Sequence, residues 1–257
     1  MLKIKSLYYL IKLKGVARGL LLILDFRNFR KKLPEYKNSL DCQSKYPITV
    51  FTSIIGGKDI LLDDQITESA NFIAFTDQKS KVWKTLKPYD KFKNDRMNAR
   101  IHKIMPHMFF DTEYSIWMDG NFKIKVPAKE IVSHFLQEKD IAIWEHPGRN
   151  CIYDEAEACY KQNKETAEAL GEQIKEYRKR GIPSQNGLYA TGIIIRRHTK
   201  KINELNEKWW AECSRFSKRD QLSFAVTFPS EEINKITEGN IWKNKYFEIA
   251  AEHNTQV

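Results

Sequence analysis

The sequence predicts a doubly wound α/β fold, a mixed sheet with flanking helices, and three observations support that class. Short apolar segments alternate along the chain with longer amphipathic ones, as strands alternate with helices in such folds. Polar side chains gather directly after the apolar segments. The chain of 257 residues is 42% hydrophobic and holds 14 Phe, 11 Tyr and 6 Trp, so it can bury the core of a single large domain.

The basic charge of the chain is concentrated at its beginning. Residues 1–40 hold ten basic residues and two acidic ones, which gives +8 of the total net charge of +10. Apolar and basic residues alternate there, and the longest apolar run, Leu20–Leu24, is far shorter than the ~20 residues that a membrane span needs. We expect either a basic amphipathic segment on the anionic inner face of the cytoplasmic membrane or a helix packed on the domain with a solvated charged face.

The rest of the chain is close to neutral, since only +2 of the net charge of +10 lies outside residues 1–40. We therefore expect no nucleic-acid interface in the globular part. The four cysteines form neither a Cys-x-x-Cys pair nor a zinc-binding spacing, which indicates reduced thiols in a cytoplasmic protein. After a polar linker, residues 47–257 are predicted to form the domain.

Three apolar segments in the first half of the domain predict strands that end at polar residues. Ligands of open α/β sheets bind beyond the carboxyl ends of strands, so these polar residues mark the predicted ligand site. The segments and the residues that follow them are Pro47–Ile55 with Gly56 and Gly57, Asn71–Thr76 with Asp77, and Ser115–Met118 with Asp119.

The turn Asp119-Gly120-Asn121 is the feature around which the other predictions are arranged. Its carboxylate and amide oxygens are hard donors that suit Mg²⁺ or Mn²⁺, and such an ion commonly also holds substrate phosphates. The alternative is a turn that joins two strands and binds no ligand, because Asp-Gly is a common turn dipeptide.

A predicted helix over residues 94–110 leads into the Asp119 strand. Arg96, Arg100 and Lys103 fall at i, i+4 and i+7, which places three cations on one face of this helix. The face is expected either to be solvated or to meet a diphosphate.

The second half of the domain continues the alternation of strands and helices. Glu145 and His146 follow the strand over residues 141–144, in the same position relative to their strand as Asp119. The predicted elements are helix Ala128–Gln137, strand Ile141–Trp144, one long charged helix over residues 153–180, strand Leu188–Ile195, helix 200–213 and helix Leu222–Val226.

Four blocks in the sequence together resemble a known family. They are Ser115-Ile-Trp-Met-Asp-Gly-Asn121, His146-Pro-Gly-Arg149 with Tyr153-Asp-Glu155, Arg196-Arg-His198, and Arg219-Asp-Gln-Leu-Ser-Phe224. In this order and spacing they closely resemble a family of bacterial and plant glycosyltransferase-like proteins long catalogued as a domain of unknown function. The resemblance covers about residues 48–228, and the last block is its most specific part.

The resemblance implies a GT-A type fold that binds a nucleotide sugar as donor and a glycan or lipid-linked acceptor. The residues expected on the donor side are Gly56, Gly57, Asp77, Arg96, Arg100, Lys103 and Asp119. It implies a divalent metal, Mn²⁺ or Mg²⁺, held by Asp119 and Asn121, although the second carboxylate of the usual Asp-x-Asp motif is here an amide. Building a bacterial surface polysaccharide is the expected role. The residues expected on the acceptor side are Arg149, Glu155, Arg219 and Gln221.

The expected chemistry requires stabilisation of the leaving diphosphate and a base for the acceptor hydroxyl. Asp220, His146 and Glu145 are the candidate bases, and Asp220 is alternatively an N-cap of the helix that begins at Gln221. Arg197 and His198 are equally compatible with surface positions and ligand contacts. Two other functions stay open: a metal-dependent phosphate-handling hydrolase and a non-catalytic nucleotide- or glycan-binding module.

Overall fold

The computed structural model describes residues 35, 36, 40, 44–57 and 59–250. The chain divides into two compact units, Met1–Asp41 and Cys42–Val257, and the second unit is described below. Most of the basic segment predicted over residues 1–40 lies outside the described residues. Among the described residues, no helix is both long and apolar enough to cross a membrane.

A seven-stranded mixed sheet forms the centre of the second unit. Its strand order is β3-β2-β1-β4-β7-β6-β8, and every strand runs parallel to the others except β7, which is antiparallel to both of its neighbours. β5 and β9 pair separately as an antiparallel ribbon. The strands are β1 (Ile48–Ser53), β2 (Asn71–Phe75), β3 (Lys84–Leu86), β4 (Tyr114–Met118), β5 (Phe122–Ile124), β6 (Ile141–Trp144), β7 (Ile193–Arg197), β8 (Ile233–Ile236) and β9 (Phe247–Ile249).

Six helices flank the sheet in the part of the chain that the structure describes. They are α1 (Asp95–Ile104), α2 (Ala128–Leu136), α3 (Ile152–Lys161), α4 (Ala167–Lys179), α5 (Lys200–Arg215) and α6 (Asp220–Thr227), with short 3₁₀ turns at Pro106–Met108 and Ser230–Glu232. Side chains from the central strands, such as Val50, Ile116 and Ile195, are buried between these layers. Strands alternating with helices around a buried mixed sheet confirm the predicted α/β class.

The direction of the strands brings the predicted polar residues to one edge of the sheet. Because β1, β2, β4 and β6 are parallel, their carboxyl ends lie at the same edge, and the amino end of antiparallel β7 lies there too. Backbone hydrogen bonds join these ends: Asp119 N donates to Gly192 O (2.8 Å), and His146 N donates to Leu188 O (2.7 Å).

Two predictions for the second half of the domain were wrong. The long helix predicted over residues 153–180 is instead two helices, α3 and α4, because the chain turns at Asn163, whose φ is 51°, and restarts at Thr166. The hydroxyl of Thr166 accepts from Ala169 N and caps α4. The strand predicted from Leu188 begins only at Ile193, and Tyr189 makes an isolated bridge to Glu145.

Candidate active site

Asp119 lies at the carboxyl end of β4 with its side chain partly open to solvent. Its Oδ1 accepts a hydrogen bond from Trp117 Nε1 (2.8 Å), and the carboxylate is 31% exposed. Gly120 packs closely against β1's neighbour Ile54, since a Cβ there would lie 2.7 Å from Ile54 Cδ1 and the isoleucine would have to shift. The turn therefore fixes a carboxylate at the edge where the strand ends converge.

Behind Asp119 lies a buried cluster of opposite charges. Lys103 Nζ is 2.7 Å from Asp220 Oδ2 and 3.6 Å from Asp119 Oδ1, and it stands 5.4 Å from the centre of the Trp117 ring. Arg100 Nη2 is 2.7 Å from the other oxygen of Asp220. Helix α1 thus supplies two cations that bind one carboxylate from α6, and the nearer of them also reaches Asp119.

Asp220 is held as a carboxylate by this cluster. Burial alone would raise its pKa, but Arg100 and Lys103 outweigh burial and hold the pKa of Asp220 well below its usual range. Thr191 Oγ1 also donates to Asp220 Oδ2 (3.1 Å). Such a group stays ionised and gains little by accepting a proton, so its environment is unsuited to a general base.

The alternative prediction that Asp220 caps a helix was wrong. Helix α6 begins at Asp220 itself, Arg219 occupies the N-cap position, and the cap has no side-chain hydrogen bond. The Asp220 carboxylate binds Arg100 and Lys103 instead. Its backbone oxygen accepts from Trp209 Nε1 (2.9 Å), which attaches the first turn of α6 to α5.

A fully buried arginine in β7 fixes the end of α1. Arg196 Nη2 donates to the backbone oxygen of Lys103 (2.7 Å), and Nη1 donates to Asn206 Oδ1 (3.2 Å). Burial lowers the pKa of Arg196 to about 9. The sequence analysis assigned Arg196 no role. Its position directly after the isoleucines of a buried strand could have indicated a buried, structural cation. By binding the last turn of α1, Arg196 positions Lys103.

Arg197 and His198 lie at the opposite end of β7 from Asp119. Arg197 Nη1 is 2.9 Å from Asp140 Oδ1, and His198 Nε2 is 2.8 Å from Ser115 Oγ. Burial, together with the charge of Arg196, lowers the pKa of His198 to about 3. Neither residue contributes to the edge that holds Asp119.

Arg96, the third cation on the same face of α1, borders an open groove of about 620 Å³. Its guanidinium donates to the backbone oxygen of Lys164 (2.9 Å). Burial and the like charges of Arg100 and Arg219 lower the pKa of Arg96. The groove also receives Lys93, Lys164 and Lys218, against two carboxylates from Asp95 and Glu165, so its lining is cationic.

His146, at the end of β6, orders the loop that follows it. Its Nδ1 accepts from the backbone N–H groups of Gly148 (3.2 Å) and Arg149 (3.0 Å), and its Nε2 lies 3.1 Å from Arg149 Nη2. Burial, and then the charge of Arg149, lower the pKa of His146. Both ring nitrogens are engaged within the loop, so His146 is poorly placed to take a proton from a substrate.

Glu155, on α3, holds this loop through Arg149. Arg149 Nε donates a hydrogen bond to Glu155 Oε2 (2.7 Å). Burial alone would lower the pKa of Arg219, but Cys159, Asp220 and Glu155 raise it. Arg219 is therefore influenced by the charges of both Asp220 and Glu155. Gln221 lies in the first turn of α6 and is half-buried.

Glu145 differs from the other two candidate bases because it is exposed. Its carboxylate is 3.2 Å from Lys235 Nζ, at the end of β6. With His146 and Arg149 it lines a second groove, of about 450 Å³, which also includes Asp154.

The remaining predicted donor residues lie at the ends of β1 and β2. Gly56 and Gly57 have φ values of 73° and 66°, and a Cβ at Gly56 would lie 2.9 Å from Asp95 Oδ2. Gly56 is thus placed next to the first turn of α1. Asp77 is exposed after β2, which β1 separates from β4, so the structure does not bring it to Asp119.

The side chains around Asp119 do not form a site that fits a divalent metal ion held by the protein. One oxygen of Asp119 already accepts from Trp117, and the ammonium of Lys103 lies 3.6 Å from that same oxygen, where it would repel a dication. Asn121 is buried, and its backbone oxygen accepts from Ala250 N (2.9 Å). Within the described residues, no group of three or more His, Cys, Asp or Glu is placed to hold a metal.

Curated relatives and solved structures resemble the chain at low identity. Two Arabidopsis thaliana proteins are each 27% identical: "Probable hexosyltransferase MUCI70" over 161 residues (58% of this chain, 28% of the relative) and "Alkaline ceramidase TOD1" over 180 residues (65% and 38%). The chain therefore spans well under half the length of either relative. Among structures, an apo WbbM bifunctional glycosyltransferase aligns with a TM-score of 0.44 at 10% identity (76% of this chain, 39% of that one), and apo mouse xyloside xylosyltransferase 1 with 0.43 at 12% (74% and 84%).

The comparison with family models defines the class of protein, a glycosyltransferase-like domain. The model described as the TOD1/MUCI70 glycosyltransferase-like domain matches residues 50–255, which is most of the chain. This protein belongs to that family. The resemblance inferred from the four sequence blocks is thereby confirmed.

Proposed function

We propose that this protein is a glycosyltransferase that moves a sugar from a nucleotide-diphosphate sugar to a glycan or lipid-linked acceptor. The observation that carries the proposal is the partly exposed Asp119 at the end of β4, with Lys103 of α1 3.6 Å from its carboxylate and Arg100 on the neighbouring Asp220. Family membership and the hexosyltransferase name of one plant relative support the reaction class. More narrowly, we propose that the glycan it builds is a bacterial surface polysaccharide.

The arrangement suits a donor whose charge is neutralised by side chains. Departure of the sugar leaves negative charge on the diphosphate, and fixed cations lower the energy of that charge. Arg96 is the α1 cation that borders the cationic groove, whereas Arg100 and Lys103 are engaged with Asp220. An anion in this groove would also relieve the repulsion that Arg96 experiences from Arg100 and Arg219. We infer that Arg96 contacts the diphosphate of the donor. Side-chain cations, rather than Mn²⁺ or Mg²⁺, then supply most of the positive charge that balances this diphosphate.

Glu145 is the base that the geometry supports best. Asp220 is neutralised by two cations, and His146 uses both ring nitrogens inside its loop. Glu145 is exposed and lines the second groove, where an acceptor hydroxyl has room to approach. A Glu145→Gln protein that transfers sugar at the normal rate would exclude this role.

The alternative of a hydrolase deserves a direct test because one relative is named a ceramidase. Within the described residues, serine–histidine contacts occur at Ser115–His198 and Ser53–His102 (3.3 Å). His102 is buried and His198 is half-buried, and the pKa of each is lowered to about 3, mainly by burial. Histidines with such low pKa values are poor bases for activating a serine nucleophile.

The deciding experiment follows donor and products together. The protein is incubated with a panel of nucleotide sugars, with and without oligosaccharide acceptors, and in parallel with a ceramide. A transferase forms a longer glycan and consumes donor mainly when acceptor is present. Donor loss that ignores the acceptor, or cleavage of ceramide, would identify a hydrolase, and binding without turnover would identify a binding module.

We expect Arg96→Ala to weaken the binding of a nucleoside diphosphate by about tenfold. A charged hydrogen bond contributes roughly 1.5–3 kcal/mol, and about 1.4 kcal/mol corresponds to a factor of ten. Isothermal titration calorimetry measures the change in chelator-treated buffer and again with Mn²⁺. Arg215→Ala, an exposed arginine on α5 that stacks on Phe216, is the matched control. Equal affinities in the two variants would remove Arg96 from the donor site.

We propose that residues 1–40 place the protein peripherally on the inner face of the cell membrane. The support is the +8 charge of that segment and the apolar residues between its basic ones. The full chain should bind anionic liposomes, and a shortened chain that begins near Ser44 should not. Binding should weaken with salt, because charges are screened within about 8 Å at physiological ionic strength. Equal binding by both chains would exclude the segment as an anchor.

A further inference from the structure

Trp242 is the exposed tryptophan among the residues that the structure describes. Its side chain is 55% exposed, and its ring centre lies 6.3 Å from that of His146, with the planes nearly perpendicular at 81°. His146 in turn lines the groove of about 450 Å³ that contains Glu145 and Arg149. A large aromatic ring left open to water beside a groove calls for an explanation, since its burial against a ligand would be favourable.

The turn that carries Trp242 is held in place by its own hydrogen bonds. Asn240 Oδ1 accepts from the backbone N–H groups of Trp242 (2.9 Å) and Lys243 (3.0 Å). Gly239 has a φ of 70°, and a Cβ there would lie 2.3 Å from the oxygen of Lys243. The backbone beneath Trp242 is therefore constrained, and little backbone entropy remains to be lost when a ligand covers the ring.

The same turn is anchored against the edge that holds Asp119. Ile241, the residue before Trp242, is buried, and its Cδ1 lies 3.0 Å from the position that a Cβ on Gly192 would occupy. Asp119 Oδ2 lies 3.3 Å from that same position, and Asp119 N donates to Gly192 O. Trp242 is thus linked through two residues to the proposed reaction centre rather than placed on a remote surface.

The charges of the groove favour a neutral, hydroxyl-rich ligand. Glu145 is paired with Lys235 at 3.2 Å, and Arg149 is paired with Glu155 at 2.7 Å. Asp154 adds a further carboxylate, so the groove has no excess of positive charge to attract a phosphate or a uronate. The groove places hydrogen-bond donors next to hydrogen-bond acceptors, which is the pattern that sugar hydroxyls require.

We propose that Trp242 and this groove form a binding subsite for a neutral sugar ring of the acceptor, with the C–H face of the ring against the indole. The proposal rests on the proposed transferase function and adds to it the class of acceptor, a neutral glycan. The ring of Trp242 contributes apolar contact, while Glu145, Arg149 and Asp154 contact hydroxyl groups.

The test measures glycan binding directly, so its outcome does not depend on catalysis. The full chain is titrated with neutral β-linked hexose and pentose oligosaccharides and with an acidic oligogalacturonide. We expect neutral oligosaccharides to bind better, Trp242→Ala to weaken their binding at least tenfold, and Trp242→Phe to stay within about threefold of the native protein. Because Trp242 is exposed, all variants should unfold at the same temperature.

Tyr160 supplies the matched control, because its ring is 56% exposed and borders the other groove. Tyr160→Ala should leave the binding of neutral oligosaccharides unchanged. The proposal is overturned if Trp242→Ala binds them as the native protein does, if Tyr160→Ala loses as much, or if the native protein binds none of them. A native protein that binds these glycans but transfers no sugar would refute the transferase function and leave the subsite intact.

Discussion

Asp119→Asn is expected to lower sugar transfer by about 10²–10³-fold, the range in which removal of one preorganised polar group affects turnover. Asp119 carries the formal charge of the turn after β4, and its carboxylate is open to substrate on one side. Asparagine has the same shape and can still accept from Trp117 Nε1 through its remaining oxygen. The free energy of unfolding should therefore change by at most about 1 kcal/mol. Steady-state transfer and denaturant unfolding measure the two effects.

Asp140 provides a control with the same exposure at the opposite edge of the sheet. Its side chain is 30% exposed, compared with 31% for Asp119, and it pairs with Arg197 at 2.9 Å. Asp140→Asn should leave transfer unchanged. If Asp119→Asn transferred sugar as well as Asp140→Asn does, the active-site assignment would fail.

A substitution at Asn121 tests the prediction that Asp119 and Asn121 hold a divalent metal ion. If Asp119 and Asn121 held a divalent ion, Asn121→Asp would add a charged ligand and strengthen donor binding in Mn²⁺. Because Asn121 is buried and Lys103 already approaches Asp119, we expect no such gain. Calorimetry with donor, with and without Mn²⁺, distinguishes the two cases.

The position of Asp119 could be predicted because its signals are local. A short aromatic strand ends at Asp-Gly, and strand ends of an α/β sheet share an edge, so the sequence alone indicates where the carboxylate lies. The common face of Arg96, Arg100 and Lys103 follows likewise from helical spacing. Each inference needs only a few consecutive residues.

The partners of those cations could not be predicted, because they lie far away in the chain. Lys103 meets Asp220, and the backbone of Lys103 meets Arg196, 93 residues away. The sequence pattern of Asp220 at the start of a helix is also typical of a cap, and only its ion pairs with Arg100 and Lys103 show that the carboxylate has another role. Trp242 gave no signal, since one tryptophan in a polar segment is equally compatible with burial.

Asp220→Asn is expected to destabilise the protein by about 3 kcal/mol, the lower end of the range for breaking a buried ion pair. The variant leaves Arg100 and Lys103 buried together without the carboxylate that compensates both. The cost stays at the lower end because Asp119 still lies 3.6 Å from Lys103. Urea unfolding at neutral pH measures the loss. Asp140→Asn, which breaks a partly exposed pair, should cost at most about 1 kcal/mol.

The pH dependence separates the charge of Asp220 from its shape. Because its pKa in the folded protein is held below the unfolded value of about 3.9, its ionisation stabilises the fold fully at neutral pH. That contribution is lost as the pH falls below about 4 towards the folded pKa. In acid, the native protein should therefore no longer be more stable than Asp220→Asn, and the unfolding curves of the two proteins should converge. A stability difference that stayed constant from pH 7 down to strong acid would show that packing, rather than the ion pairs with Arg100 and Lys103, accounts for the effect.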